Sequence, residues 1–254
     1  MNTNRKLKFL TVSMIAAMAT AITHNAFAHT RLEVPTIVEG IRASNNVVVG
    51  HGCGGETGEA RNVIGTSVVF PDGVDSTILV DGQPHTGALA DFVQNWGNQN
   101  QKIYSKAVFT LQGEKVDSTG NVVGFWAGGG DSLPHDLAGY IPFRTGAVII
   151  EPTSCAASVK FYVSIADICE ITPTSGFSAE TVNFWTHNNL GTPYDRISTT
   201  DDGPAPLTIT RDTTNNPLPA SCGATGVAVE VKPSAAQINR DMPIKIDGVQ
   251  VWPQ

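Results

Sequence analysis

The feature that most restricts this chain is the shortness of its apolar runs. Stretches rich in Val, Ile, Thr and Phe recur along its length, and Gly, Pro, Asn or Asp cuts each one off. With 25 Gly and 15 Pro in 254 residues, there is punctuation for many turns and little room for long helices. The runs include Asn46–Val49, Ser67–Phe70, Thr77–Val80, Ala107–Leu111, Ala147–Glu151, Ser158–Ile165, Thr181–Trp185, Leu207–Thr210, Val227–Lys232 and Ile244–Trp252. Within them Val159-Lys160-Phe161-Tyr162-Val163 alternates as a half-buried strand does. About ten such strands imply an all-β, β-sandwich-like fold with long loops and little helix. One helix is expected over Thr86–Trp96, where Leu89, Phe92, Val93 and Trp96 recur at three- and four-residue steps. Trp126–Leu137 reads as a loop, because three glycines in succession, Gly128 to Gly130, weaken a strand interior. No repeat or heptad is visible, and the polar stretches Ser198–Pro206 and Asp212–Pro217 are short enough to be connections. Residues 29–254 therefore read as a single domain.

The first 28 residues read as an export signal. Arg5, Lys6 and Lys8 precede an apolar stretch from Phe9 to Ile22, and Ala26-Phe27-Ala28 fits the small-x-small cleavage rule. The full chain has 16 Lys+Arg and 23 Asp+Glu, net −7. Removal of those three cations takes the remainder to −10. Such acidity excludes nucleic acid as a partner and disfavours an anionic membrane surface. No later run approaches the roughly 20 apolar residues of a membrane-spanning helix. All four cysteines, Cys53, Cys155, Cys169 and Cys222, follow the leader, an even count suited to two disulfides in an oxidising compartment. Chain order mildly favours Cys53–Cys155 with Cys169–Cys222 among three possible pairings. No pair has CxxC spacing, which argues against a thiolate metal site.

Five histidines follow the leader: His29, His51, His85, His135 and His187. His85 and His135 each follow a proline between strand-like runs, an arrangement that holds an imidazole in place without a helix. Two neutral imidazoles suit copper, so these two are the leading candidate ligands for one Cu(I). Asp136 could orient one of the rings. His29, as the first residue after cleavage, would offer an α-amine and Nδ1 to one ion, an alternative ligand suited to copper's nitrogen preference. His51, within Gly50-His51-Gly52-Cys53-Gly54-Gly55, reads as a neighbour of a disulfide turn. Trp185 and His187 point to one face if strand spacing holds through both. Acidic pairs such as Asp201-Asp202, or Asp131 with Asp136, are the only hints of calcium. The chain has no GxSxG, HExxH, P-loop or EF-hand pattern, which makes hydrolase and nucleotide chemistry poor readings.

Three stretches, His29–Thr36, Asn45–Cys53 and Ser67–Pro71, resemble the copper-repressible surface proteins of methane-oxidising bacteria, the MopE/CorA type. That resemblance implies a secreted or outer-surface protein holding one Cu(I) by two histidines and an oxidised tryptophan, sometimes with calcium. It implies attachment to the outer membrane or to another surface protein. His85 and His135 are the carried-over ligands. Trp96 or Trp126 would be the modified residue, since the only Trp-x-His here is Trp185-Thr186-His187. A second resemblance covers the potential N-terminal His29, Gly52-Cys53 and Val69-Phe70-Pro71-Asp72-Gly73-Val74, which are similar to the start of periplasmic YcnI-type copper proteins. It implies copper at His29, with Glu33 as a candidate carboxylate. The reading is a non-catalytic copper-binding protein for scavenging or storage. The competing class is a copper-dependent oxidase or monooxygenase using His29 as a brace.

Overall fold

The computed structural model describes residues 29–54, 59–96, 100–197 and 203–254. Residues 1–28, expected to be an export signal, and the Asp201-Asp202 pair lie outside the described residues. Among those described, the chain is all-β. Its largest sheet runs in the order Gln83–His85, Thr77–Val80, Val227–Lys232, Ala156–Ile168, Val63–Val69, Val122–Leu133, Leu111–Val116. Val182–Trp185 and Ala205–Thr210 also pair with Ala156–Ile168, and Thr36–Val38 pairs with Ala205–Thr210. A second, four-stranded sheet has the order Arg31–Leu32, Ala43–Val49, Gly139–Thr145, Asn100–Lys102. Phe70, Phe125 and Phe143 meet between the two sheets, with ring centroids 5.4 to 6.4 Å apart. Burying each such ring contributes about 1.5–3 kcal/mol.

The 13-residue strand Ala156–Ile168 organises the molecule. Its first half alternates: Val159, Phe161 and Val163 are buried while Lys160 and Tyr162 face outward. From Val163 to Ile168 every residue is buried. A second apolar cluster explains the change, because Ile168, Val182, Phe184, Tyr194, Ile238, Met242 and Trp252 cover the other face of the sheet there. The helix Ala235–Asp241 and the hairpin of Ile244–Ile246 with Val249–Trp252 supply much of that cover. Ser234 caps the helix by accepting from the Gln237 N–H at 3.1 Å. Lys115, on the edge strand, donates to the Met242 carbonyl at 3.0 Å, the Pro243 carbonyl at 3.2 Å and the Ser67 hydroxyl at 2.6 Å. It also donates to the Asp241 carbonyl. Burial pulls its ammonium down to about 7, with Asp241 opposing, and its donated bonds tie the cover to the sheet.

Three expectations are corrected. Thr86–Trp96 is not a helix. It holds one 3-10 turn, Leu89–Asp91, and a two-residue strand, Val93–Gln94, paired with Ile149–Ile150. The Asp91 carboxylate accepts from Ala88 N–H and meets His85, and Asn95 has a positive φ of 49°, so helix geometry ends at both sides. Trp126–Leu137 is not a loop through most of its length. Strand Val122–Leu133 runs through the glycines, with Gly129 at φ 70° and Gly130 at φ 81° forming a bulge where the register shifts. The glycines bend the strand instead of ending it.

The cysteine pairing is the third. The bonds are Cys53–Cys169 and Cys155–Cys222. Cys155 and Cys169 flank opposite ends of the central strand, roughly 46 Å apart at about 3.3 Å per residue. Each bonds to the cysteine at its own end. Cys222 precedes Val227–Lys232, which runs parallel to the central strand with Val227 opposite Ala156. Cys53 bridges to Arg61 at the start of the antiparallel strand Val63–Val69, whose Gly65 faces Ile168. Two disulfides suit an extracellular or periplasmic compartment.

Candidate metal centre

At the Cys53–Cys169 end of the central strand, two histidines meet one indole. The His29 ring centroid lies 5.1 Å from that of Trp185, edge-on at 89°. The His51 ring lies 6.2 Å from the same indole, edge-on at 86°. Trp185 is buried and ends strand Val182–Trp185, with its backbone opposite Ile165. His29 precedes Arg31–Leu32, the outer strand of the smaller sheet, whose residues face Val48 and Val47. His51 follows Ala43–Val49 in that sheet. The smaller sheet therefore delivers both imidazoles to the indole.

The floor is polar and buried. Asp167, fully buried, accepts from Trp185 Nε1 at 2.7 Å, from Thr66 Oγ1 at 3.1 Å and from Thr30 Oγ1. Burial pushes its carboxyl above the ordinary range, opposed by those three donors and the nearby His51. The turn that presents His51 is equally fixed. Its Nδ1 meets the Gly52 carbonyl, and the Gly52 N–H donates to the His135 carbonyl at 3.0 Å. A Cβ at Gly52 would lie 1.9 Å from the Arg61 carbonyl oxygen, so only glycine lets these backbones approach. With Nδ1–H given to Gly52, the His51 Nε2 lone pair is the one left for a ligand.

The two histidines expected to share one ion are not brought together. His85 ends an edge strand, with Nε2 2.8 Å from the Asp91 carboxylate and its ring 4.8 Å from that of Phe92. His135 is exposed, and its N–H donates to Asn62 Oδ1 at 3.0 Å. His85 lies on the level of Ile78, Val231 and Phe161, whereas Asn62 lies beyond the Gly65–Ile168 pair. The span from Phe161 to Ile168, at about 3.3 Å per residue, separates these levels by roughly 20 Å. Neither expected tryptophan is at either histidine's ring contacts. Trp96 stacks on Phe161 at 3.8 Å and donates to the Pro71 carbonyl, and Trp126 covers the edge glycine Gly113. Glu33 accepts from Asn46 Nδ2 at 2.5 Å. Among the described residues no group of three or more His, Cys, Asp or Glu side chains converges. Donors at the His29–His51 end are two imidazoles.

His187 has a different environment from Trp185, because the strand stops at Trp185 and the spacing does not carry through. Its ring meets Tyr162 at 5.2 Å on the other side. Burial, assisted by Lys232, pulls its imidazole down to about 4, with Glu230 opposing. The unfolded chain takes up this proton near pH 6.5 and the folded one near 4. The associated stability is therefore complete above pH 6.5 and is lost as pH falls toward 4. Unfolding free energies from urea titrations across pH 7 to 4 should fall by on the order of 2 kcal/mol more than those of His187→Phe. Parallel pH profiles for the two proteins would show that His187 stays solvated.

No family model and no curated protein matches this chain.

Proposed function

We propose that this is an exported protein that binds one copper ion at His29 and His51, against Trp185, for scavenging or storage at the cell surface. The observation that carries the reading is the meeting of two imidazoles, from separate segments, on one buried indole. Imidazole nitrogens suit copper, and Cu(I) is satisfied by few of them. His51 offers Nε2, and His29 offers Nδ1 together with the α-amine that leader removal would create. The indole and the disulfide beside them exclude water from one side of the site. The two sequence resemblances point to copper as well, and the second places it at His29.

The test uses protein processed through its own export route. Mass spectrometry should find an N-terminus at His29, and Cu(I) titrated against a competing chelator should bind at one equivalent. His51→Ala and His29→Ala should each weaken binding by about 100-fold or more, beyond what loss of a supporting contact does. The double variant His85→Ala/His135→Ala should bind as the parent does. Stoichiometry near zero, or zinc retained in preference to copper, overturns the reading.

A further inference from the structure

We infer that Asp167 is the positioning residue of this centre: one buried carboxylate seats the N-terminal residue and the indole together, and supplies the counter-charge for the bound cation. The inference rests on the copper reading above. Its geometry stands on three hydrogen bonds. Trp185 Nε1 donates to Oδ2 at 2.7 Å, which fixes the ring on which both imidazoles rest. Thr30 Oγ1 donates to the same oxygen, and Thr30 is the residue bonded to His29. Thr66 Oγ1 donates to Oδ1 at 3.1 Å from the neighbouring strand. The site's third wall hangs from the same stretch of chain. Cys169 lies two residues beyond Asp167 and is bonded to Cys53, two residues beyond His51.

Hydrogen bonding alone does not account for an aspartate here. Three neutral donors can be satisfied by an uncharged acceptor, whereas a wholly buried carboxylate carries a large desolvation cost. No lysine or arginine pairs with Asp167 among the described residues. His51 acts on it electrostatically, and a cation held by the two histidines would complete the balance. A metal ion is the largest local charge in such a site, and an anion beneath it lowers the cost of placing both there. The charge also strengthens the indole N–H bond, since charge-assisted hydrogen bonds are about twice as strong as neutral ones. Trp185 is thereby held at one angle to His29 and His51.

The experiment compares the processed parent with Asp167→Asn, Asp167→Glu and Thr30→Val. Asp167→Asn keeps an acceptor and removes the charge, so Cu(I) affinity should drop about 10- to 100-fold with the fold retained. Asp167→Glu should recover part of that loss. In metal-free protein the Trp185 indole N–H resonance should shift upfield in Asp167→Asn, because the bond to it is no longer charge-assisted. This second readout needs no copper, so a parent that binds no metal defeats the copper reading while the positioning role is still measured. Should Asp167→Asn fail to fold, Thr30→Val removes only the tie to the N-terminal segment, and its affinity should fall about 10-fold. A folded Asp167→Asn with unchanged affinity, an unmoved indole resonance, or a Thr30→Val protein that binds as the parent does overturns the inference.

Discussion

Replacing Arg211 by Met should lower unfolding stability by about 3–5 kcal/mol, the cost of removing one partner from a buried polar network. Arg211 is 6% exposed. Its Nε donates to the Ala156 carbonyl at 2.6 Å, and Nη2 donates to the Glu151 and Ser154 carbonyls at 3.0 and 2.9 Å. Nη1 reaches Asn216 Oδ1 at 3.0 Å. The Glu151 and Ser154 carbonyls belong to the turn that launches the central strand and the Ala156 carbonyl to the strand's first residue, so one guanidinium ties the turn to the strand. Glu39, 8% exposed, sits in the same network and accepts from Asn216 Nδ2 and from the Ile150 and Asp212 N–H groups. Arg211 and Glu39 attract each other, so without Arg211 that charge loses a compensating cation. Urea titration should show the midpoint falling at constant slope. Arg211→Lys should recover little, because an ammonium cannot reproduce the planar fork. A loss below about 1 kcal/mol in Arg211→Met would mean the turn finds water instead.

The Cys53→Ser/Cys169→Ser protein should be comparably weakened and should also bind copper poorly. The bond closes a loop with a sequence separation of 116. Closing a loop of that size removes about 4–5 kcal/mol of chain entropy from the unfolded state. Cys155–Cys222 has a separation of 67, and its removal should cost nearly as much, since the dependence on length is logarithmic. The two variants part at the metal. Cys53 is two residues from His51 and its N–H faces Cys169 Sγ at 3.1 Å, whereas Cys155–Cys222 lies at the far end of the strand. Copper affinity should therefore fall in the first variant and hold in the second, at a temperature where both are folded. Equal affinity in the two would detach the His51 turn from the disulfide.

Strands were legible wherever local pattern and burial agree. Thr77–Val80 and Val227–Lys232 stand as read, and the Val159–Val163 alternation marks the half of the central strand that has one wet face. The Gly128–Gly130 strand was misread because a bulge uses the same residues as a turn. Ala107–Leu111 was misread because its apolar residues serve a loop, and the strand starts only at Leu111. The helix Ala235–Asp241 carries a Ser-x-x-Gln start in Ser234–Gln237, a signal present in the chain and passed over. For the candidate site the donor residues could be named from composition, but not their grouping. Nothing local to His29, His51 or Trp185 says that a strand ladder brings them together. Residue order also favoured the wrong cysteine pairs, since proximity here follows strand ends and not chain distance.

The strand Val227–Lys232 lies between Thr77–Val80 and the central strand, hydrogen-bonded to both. The hairpin Thr77–His85 thus reaches the sheet only through a segment made some 150 residues later (Val80 faces Val229). Such long-range pairing makes folding slow, because loop entropy is lost before the contacts reward it. A chain that is still emerging has no docking edge for that hairpin until about nine-tenths of it is out. Assembly of the large sheet is therefore a late, whole-chain event in biosynthesis, and a chain cut short before Val227 exposes two unpaired strand edges to aggregation.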